Sequence, residues 1–155
     1  MAYQVRVNTR STRVAATTRA ILEKSLDYRF CFAVSTRNLI FLDFDCREEF
    51  DDCYREVIVV GKTIVDRYGG EVLIYKTPNG FHLMHAVWMD WKKIERIIRS
   101  FIVLIDEGVL KYLDRAHLEA SLRRGYLTLR LNQIRLVARI VRVGEEVRVY
   151  ELRPR

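Results

Sequence analysis

The sequence predicts an α+β fold, with an antiparallel or mixed sheet carrying helices on one face, and three observations lead there. Strand-like runs of β-branched and aromatic residues come in pairs. Long stretches with a helical apolar period separate the pairs. The clearest turn signal, Asn79-Gly80, belongs to a hairpin and not to a crossover between parallel strands. At 155 residues, half of them hydrophobic and 30% charged, the chain fits one domain spanning 1–155. No apolar run approaches the roughly 18 residues of a membrane span. The N-terminal "MAYQVRVNTRSTRVAATT" lacks the apolar core of a secretory signal. The expectation is a cytoplasmic protein with no membrane partner.

Ser11 is placed to cap a first helix whose apolar positions are Val14, Thr18, Ile21, Leu22 and Leu26. Residues 29–36 (RFCFAVST) and 38–45 (NLIFLDFD) read as two strands of a hairpin broken at Arg37. Phe50, Cys53, Tyr54, Val57, Gly61, Ile64 and Tyr68 form the clearest helical stripe, ended by Gly69-Gly70. "EVLIYKTP" and "FHLMHAVW" flank Asn79-Gly80, a pair suited to a two-residue turn in which both positions need positive φ. Asp90 stands before a helix lined by Trp91, Ile94, Ile97, Ile98, Phe101 and Ile105, closed at Gly108. A shorter helix over 113–122 precedes strands at 126–131, 134–143 and 147–153, with turns at Asn132-Gln133 and Gly144-Glu145-Glu146.

Lysine and arginine number 27 against 20 acids, and the resulting +7 favours polyanionic partners. A composition rich in Arg, Glu, Ile and Val also fits a thermophile. Cys31, Cys46 and Cys53 lack paired C-x-x-C spacing, so they read as buried thiols and not as a disulfide framework or a zinc site.

"LIFLDFDC" places Asp43 and Asp45 in an otherwise apolar strand. Alternation puts both on one face, about 6–7 Å apart at a rise of roughly 3.3 Å per residue. Ile40, Leu42 and Phe44 take the other face, towards the helices. Two close carboxylates repel unless a cation lies between them, and hard divalent ions that hold phosphates prefer such oxygen ligands. In the Asn-Gly hairpin, Thr77 is expected opposite His82, so that His82, Met84, Tyr75 and Leu73 share the less covered face. Phe81, Leu83, His85 and Lys76 face the helices, which makes His85 a core histidine. In 126–131, Leu127, Leu129 and Leu131 read as core, while Tyr126, Thr128 and Arg130 point to the open face.

These residues resemble the catalytic core of the archaeo-eukaryotic primase superfamily. The family's first motif is a hydrophobic run ending in D-x-D, here "IFLDFD"; its second is a small residue, any residue and His, here Gly80-Phe81-His82. The resemblance covers about 28–132, with the strands of 134–153 following, and implies an RRM-like sheet. It implies catalytic roles for Asp43, Asp45 and His82, with the aspartates holding Mg²⁺ or Mn²⁺ and the histidine contacting nucleotide phosphates. Asp114 is the candidate third metal ligand, with Asp106 as its rival. Thr77, Gly80 and Arg130 join His82 in binding nucleotide, and Arg123, Arg124 and Tyr126 bind nucleic acid. The activity so implied is primer synthesis or extension from NTPs or dNTPs on single-stranded DNA or RNA, in the compact style of an archaeal virus or plasmid. A helicase or other replication protein would be its partner.

Three rivals compete with it. An RRM-like binding module without catalysis would stack bases on Phe41, Tyr75, Trp88 and Tyr126. A haloacid-dehalogenase-type phosphatase also begins with D-x-D but expects a parallel sheet. A rolling-circle nickase wants two histidines on one strand face, whereas His82 and His85 alternate.

Overall fold

The computed structural model describes residues 2–6, 31–131 and 133–152. In chain order its elements are β1 (Ala2–Arg6), β2 (Cys31–Thr36), β3 (Ile40–Asp45), α1 (Phe50–Tyr68), β4 (Glu71–Lys76), β5 (Gly80–His85), α2 (Trp91–Asp106), α3 (Arg115–Arg124), β6 (Leu127–Leu131), β7 (Arg135–Val143) and β8 (Glu146–Glu151). The class is α+β. A five-stranded antiparallel sheet runs β3-β5-β4-β7-β8, and a three-stranded sheet runs β1-β2-β6 with β1 parallel to β2. The helix expected from Ser11 lies outside the described residues, and β1 is a strand that the sequence reading did not foresee.

The long apolar stripes behave as read. Cys53, Val57, Gly61 and Ile64 of α1 are buried, as are Ile94, Ile97, Ile98 and Phe101 of α2. Helix α1 lies close on the sheet: a Cβ added at Gly61 would stand 2.6 Å from Ile140 Cδ1 and 3.3 Å from Val72 Cγ1. Helix α2 runs beside it, with Lys93 Nζ 5.2 Å from the Tyr68 ring.

Three expectations are corrected. First, β2 and β3 form no hairpin: β2 pairs with β1 and β6, and β3 pairs with β5. The break between them is a corner where the chain changes sheets. Asn38 holds that corner, its N–H donating to Thr36 Oγ1 (3.0 Å) and its side-chain amide to the Met89 carbonyl (3.1 Å).

Second, the face left open by the sequence reading is covered. Leu39, Phe41, Leu73, Tyr75 and Met84 are at most 1% exposed. Strand β6 lies against β3, and α3 lies against both and against α2, so α3 does not share the sheet face that α1 covers.

Third, Cys46 and Cys53 form a disulfide, with Cα atoms 5.2 Å apart. It joins the residue after β3 to the start of α1. Arg47 and Glu48, at φ 48° and 72°, fold the chain back tightly enough for the sulfurs to meet. Neither residue type signals a left-handed turn, so the pairing leaves no trace in the spacing.

Candidate nucleotide and nucleic-acid site

The site begins in the register of two strands. β3 and β5 pair antiparallel with Asp43 opposite His82 and Asp45 opposite Gly80. The β4–β5 register is Tyr75 opposite His82 and Lys76 opposite Phe81, so Pro78-Asn79 occupies the turn in place of Asn79-Gly80. Thr77 N–H donates to the Gly80 carbonyl (2.9 Å). The change moves the pairing by an even number of residues, so each side chain keeps the face expected of it. Gly80 is needed for close approach and not for positive φ: a Cβ there would lie 1.8 Å from the Phe44 carbonyl oxygen.

Across that pair, His82 Nε2 stands 3.2 Å from Asp43 Oδ1. The other edge of β3 is taken by residues 112–114. Asp45 N–H donates to the Tyr112 carbonyl and Asp114 N–H to the Asp43 carbonyl, both at 2.9 Å. Glu56 of α1 pins this strip by accepting from the N–H groups of Lys111 (2.5 Å), Tyr112 (2.8 Å) and Leu113 (2.9 Å). The Asp114 carboxylate then caps α3 by accepting from His117 N–H (3.2 Å). One turn into α3, His117 Nε2 donates to the Thr128 carbonyl of β6 (2.7 Å).

The result is a pocket of about 240 Å³ between the two sheets. Asp43 and His82 line it from the large sheet, His117 and Arg124 from α3, and Thr128 and Arg130 from β6. Burial by itself raises the Asp43 pKa; the His82 hydrogen bond, followed by the charges of His82 and His117, outweighs burial and holds the carboxyl below its ordinary range. Burial pushes the His117 pKa down, against the opposing hydrogen bond to Thr128 and the nearby Asp43 and Asp114. His82 Nδ1 and His117 Nδ1 are buried with no hydrogen-bond partner among the described residues.

The site residues read from sequence divide into two groups. Asp43, His82, Arg124 and Arg130 come together. Asp45 is exposed on the same strand face, its Oδ1 accepting from Arg47 N–H (3.2 Å). Asp114 caps α3 and does not itself line the pocket. Asp106 is turned away into a two-pronged ion pair with Arg115 (2.8 and 3.2 Å), whose hydrogen bond lowers its pKa. Thr77 and Gly80 satisfy each other in the turn, Gly80 N–H donating to Thr77 Oγ1 (2.9 Å). Arg123 lies apart, beside Arg99 and Glu119. Tyr126 carries the Arg124 guanidinium 5.1 Å from its ring centroid. His85 is fully buried on the α1 side, its Nε2 donating to the Gly69 carbonyl (2.7 Å). Among the described residues, no group of three or more His, Cys, Asp or Glu side chains is gathered to hold a metal ion.

His117 was missed by the sequence reading, although a signal for it exists. His117, Ser121 and Arg124 recur at i, i+4 and i+7, a polar stripe on one face of a short helix, and Ser121 is fully buried. β3 lies antiparallel to its neighbour, unlike the parallel strand of a dehalogenase-type core. Phe41 and Tyr75 are buried and offer no surface for base stacking. No family model matches the chain, nor does any curated protein or solved structure, and the functional reading therefore rests on this pocket.

Proposed function

We propose that the chain is a primase-type nucleotidyltransferase of DNA replication, making or extending primers from NTPs or dNTPs on a single-stranded template. The observation that carries this reading is the convergence of Asp43 and His82, from the two quoted motifs, with His117, Arg124 and Arg130 in one pocket. The chain path supports it as well. Elements β3-α1-β4-β5-α2, followed by the edge strip 112–114, have the β-α-β-β-α-β order of a ferredoxin-like core, in keeping with an RRM-like assignment.

A triphosphate brings several negative charges, and Arg124 and Arg130 supply guanidinium donors suited to phosphate oxygens. His82 holds Nε2 on Asp43 and presents its ring at the wall of the same pocket. Asp43 and Asp45 fit Mg²⁺ or Mn²⁺, since such ions use one or two protein carboxylates together with substrate phosphates. Bound there, the ion would neutralise charge on the transferred phosphoryl group and activate the attacking hydroxyl. The protein's share is positioning: β3 and β5 fix the carboxylates and His82, while α3 and β6 bring Arg124 and Arg130 to the same pocket.

A second reading has one observation in its favour. His82 already gives the Asp43 carboxylate a partner, so a binding module without catalysis could hold an aspartate there without a metal.

One experiment separates the two. The protein, with Mg²⁺ or Mn²⁺, nucleoside triphosphates and a single-stranded template with and without primer, is compared with Asp43→Asn and Asp45→Asn. Divalent-dependent triphosphate binding and strand extension are expected for the wild type. Each variant should remain folded and lose activity by about 100-fold or more, in keeping with the several kcal/mol a metal supplies. Metal-independent binding that both variants match, with no product, would leave only the binding module.

A further inference from the structure

A second cavity adjoins the first. About 320 Å³ in volume, it lies where β2 ends and α3 gives way to β6, and Arg37, Arg124, Gly125 and Tyr126 line it with Ser35 and Thr36. That volume is within the range of small-ligand sites. Its chemistry is specific. Among the described residues Arg37 and Arg124 make no ion pair with a carboxylate, although the chain has 20 acids to offer. Arg124 lies over the half-buried Tyr126 ring, so an aromatic and a guanidinium are already stacked at the cavity wall. Bases in single strands stack on such surfaces, and a free arginine beside the stack meets the phosphate.

The two cavities are continuous in their walls. Arg124 lines both. Ser35 of the second and Thr128 of the first are cross-strand partners, joined through their hydroxyls at 2.8 Å. We infer that the second cavity binds one nucleotide of a single-stranded nucleic acid, its base on the Tyr126–Arg124 stack and its phosphate on Arg37, and leads the strand towards Asp43. The inference rests on the nucleic-acid part of the function proposed above and not on its catalytic part. It also divides the arginines: Arg37, which the motifs do not include, belongs to the strand path, and Arg123 does not.

The test uses the whole chain and three probes: a short oligothymidine, an abasic oligonucleotide of equal length and charge, and thymidine monophosphate. Wild type should prefer the base-bearing strand over the abasic one by about 5- to 150-fold, the worth of one stacked base. Tyr126→Leu should erase that preference. Arg37→Gln, at an exposed position, should weaken binding to both strands and lower the salt slope by about 0.7, one phosphate contact on a single strand. Asp43→Asn should leave strand binding in place even where it abolishes divalent-dependent triphosphate binding, so failure of one reading is distinguishable from failure of the other. Equal affinity for the base-bearing and abasic strands would overturn the inference. A salt slope unchanged in Arg37→Gln would overturn it even if Tyr126→Leu failed to fold. Monophosphate competing as well as the strand would overturn it too, by making the cavity a site for free nucleotides.

Discussion

The two faces of the β3-β5-β4 sheet are built from the same strands and do opposite work. On one, Leu42, Phe44, Leu83, Val72 and Ile74 meet the helices, and the single histidine among them, His85, is spent on a backbone carbonyl. On the other, Phe41, Leu73 and Met84 are as well buried as their counterparts, yet Asp43 and His82 look into a cavity lined by charged residues of α3 and β6. His82 and His85 stand three residues apart and are 8% and 0% exposed. Burial alone therefore does not tell a histidine at a cavity wall from one sealed in the core. The partner does: a walled-in carbonyl in one case, a carboxylate beside open space in the other.

Breaking both faces at once should give the largest effect. In Gly80→Ala the new methyl would sit 1.8 Å from the Phe44 carbonyl oxygen, a backbone atom that cannot swing aside, so β3 and β5 must part. The expected loss is about 3 kcal/mol or more, at or beyond the upper end for overpacking, with nucleotide binding lost alongside. Chemical denaturation and triphosphate titration measure the two. A variant as stable as the wild type would show that this register is wrong.

Next in size is the difference between the two histidines. His85→Ala removes a ring from a sealed site and leaves the Gly69 carbonyl without its donor, at a cost on the order of 2–4 kcal/mol, with triphosphate affinity kept in the folded fraction. His82→Ala should cost less stability and lose most triphosphate affinity. Thermal melts paired with titrations test both, and the opposite pattern would exchange the roles of the two faces.

How much of this could be read in the sequence follows from what is local. Alternation in β3 and β5 fixed which side chains share a face, and that held even though the turn slid to Pro78-Asn79, because an even slip preserves parity. The stripes of α1 and α2 were equally legible, since a helix declares its buried face within one turn. Sheet partners are not local: nothing near Arg37-Asn38 says that β2 leaves β3 for β1 and β6. For the same reason the covering of Tyr75 and Phe41 was invisible, and His117, delivered by a helix capped at Asp114, stayed hidden until the chain was folded. The Cys46–Cys53 pair needed two left-handed residues that no residue type announced.

The smallest effect is the pH dependence that the two faces share. Burial holds the pKa of His85 below 6.5, against the Gly69 hydrogen bond, and does the same to His117 despite Thr128, Asp43 and Asp114. Well above 6.5 both rings are neutral whether the chain is folded or not, and stability is flat with respect to them. As pH falls through 6.5 the unfolded chain takes up protons that the folded chain refuses, so stability declines until the lowered folded values are passed. Asp43 acts in a separate window. Its lowered pKa contributes stability that is lost only as pH drops below 3.8 towards the folded value, outside a series run from pH 7.5 to about 5. Within that series His85→Gln, which retains an amide donor for the Gly69 carbonyl but cannot titrate, should flatten part of the decline. His117→Gln should flatten another part, and the double variant most of it. Denaturation midpoints across the series decide the matter: a decline unchanged in the double variant would mean that neither ring is held neutral by its burial.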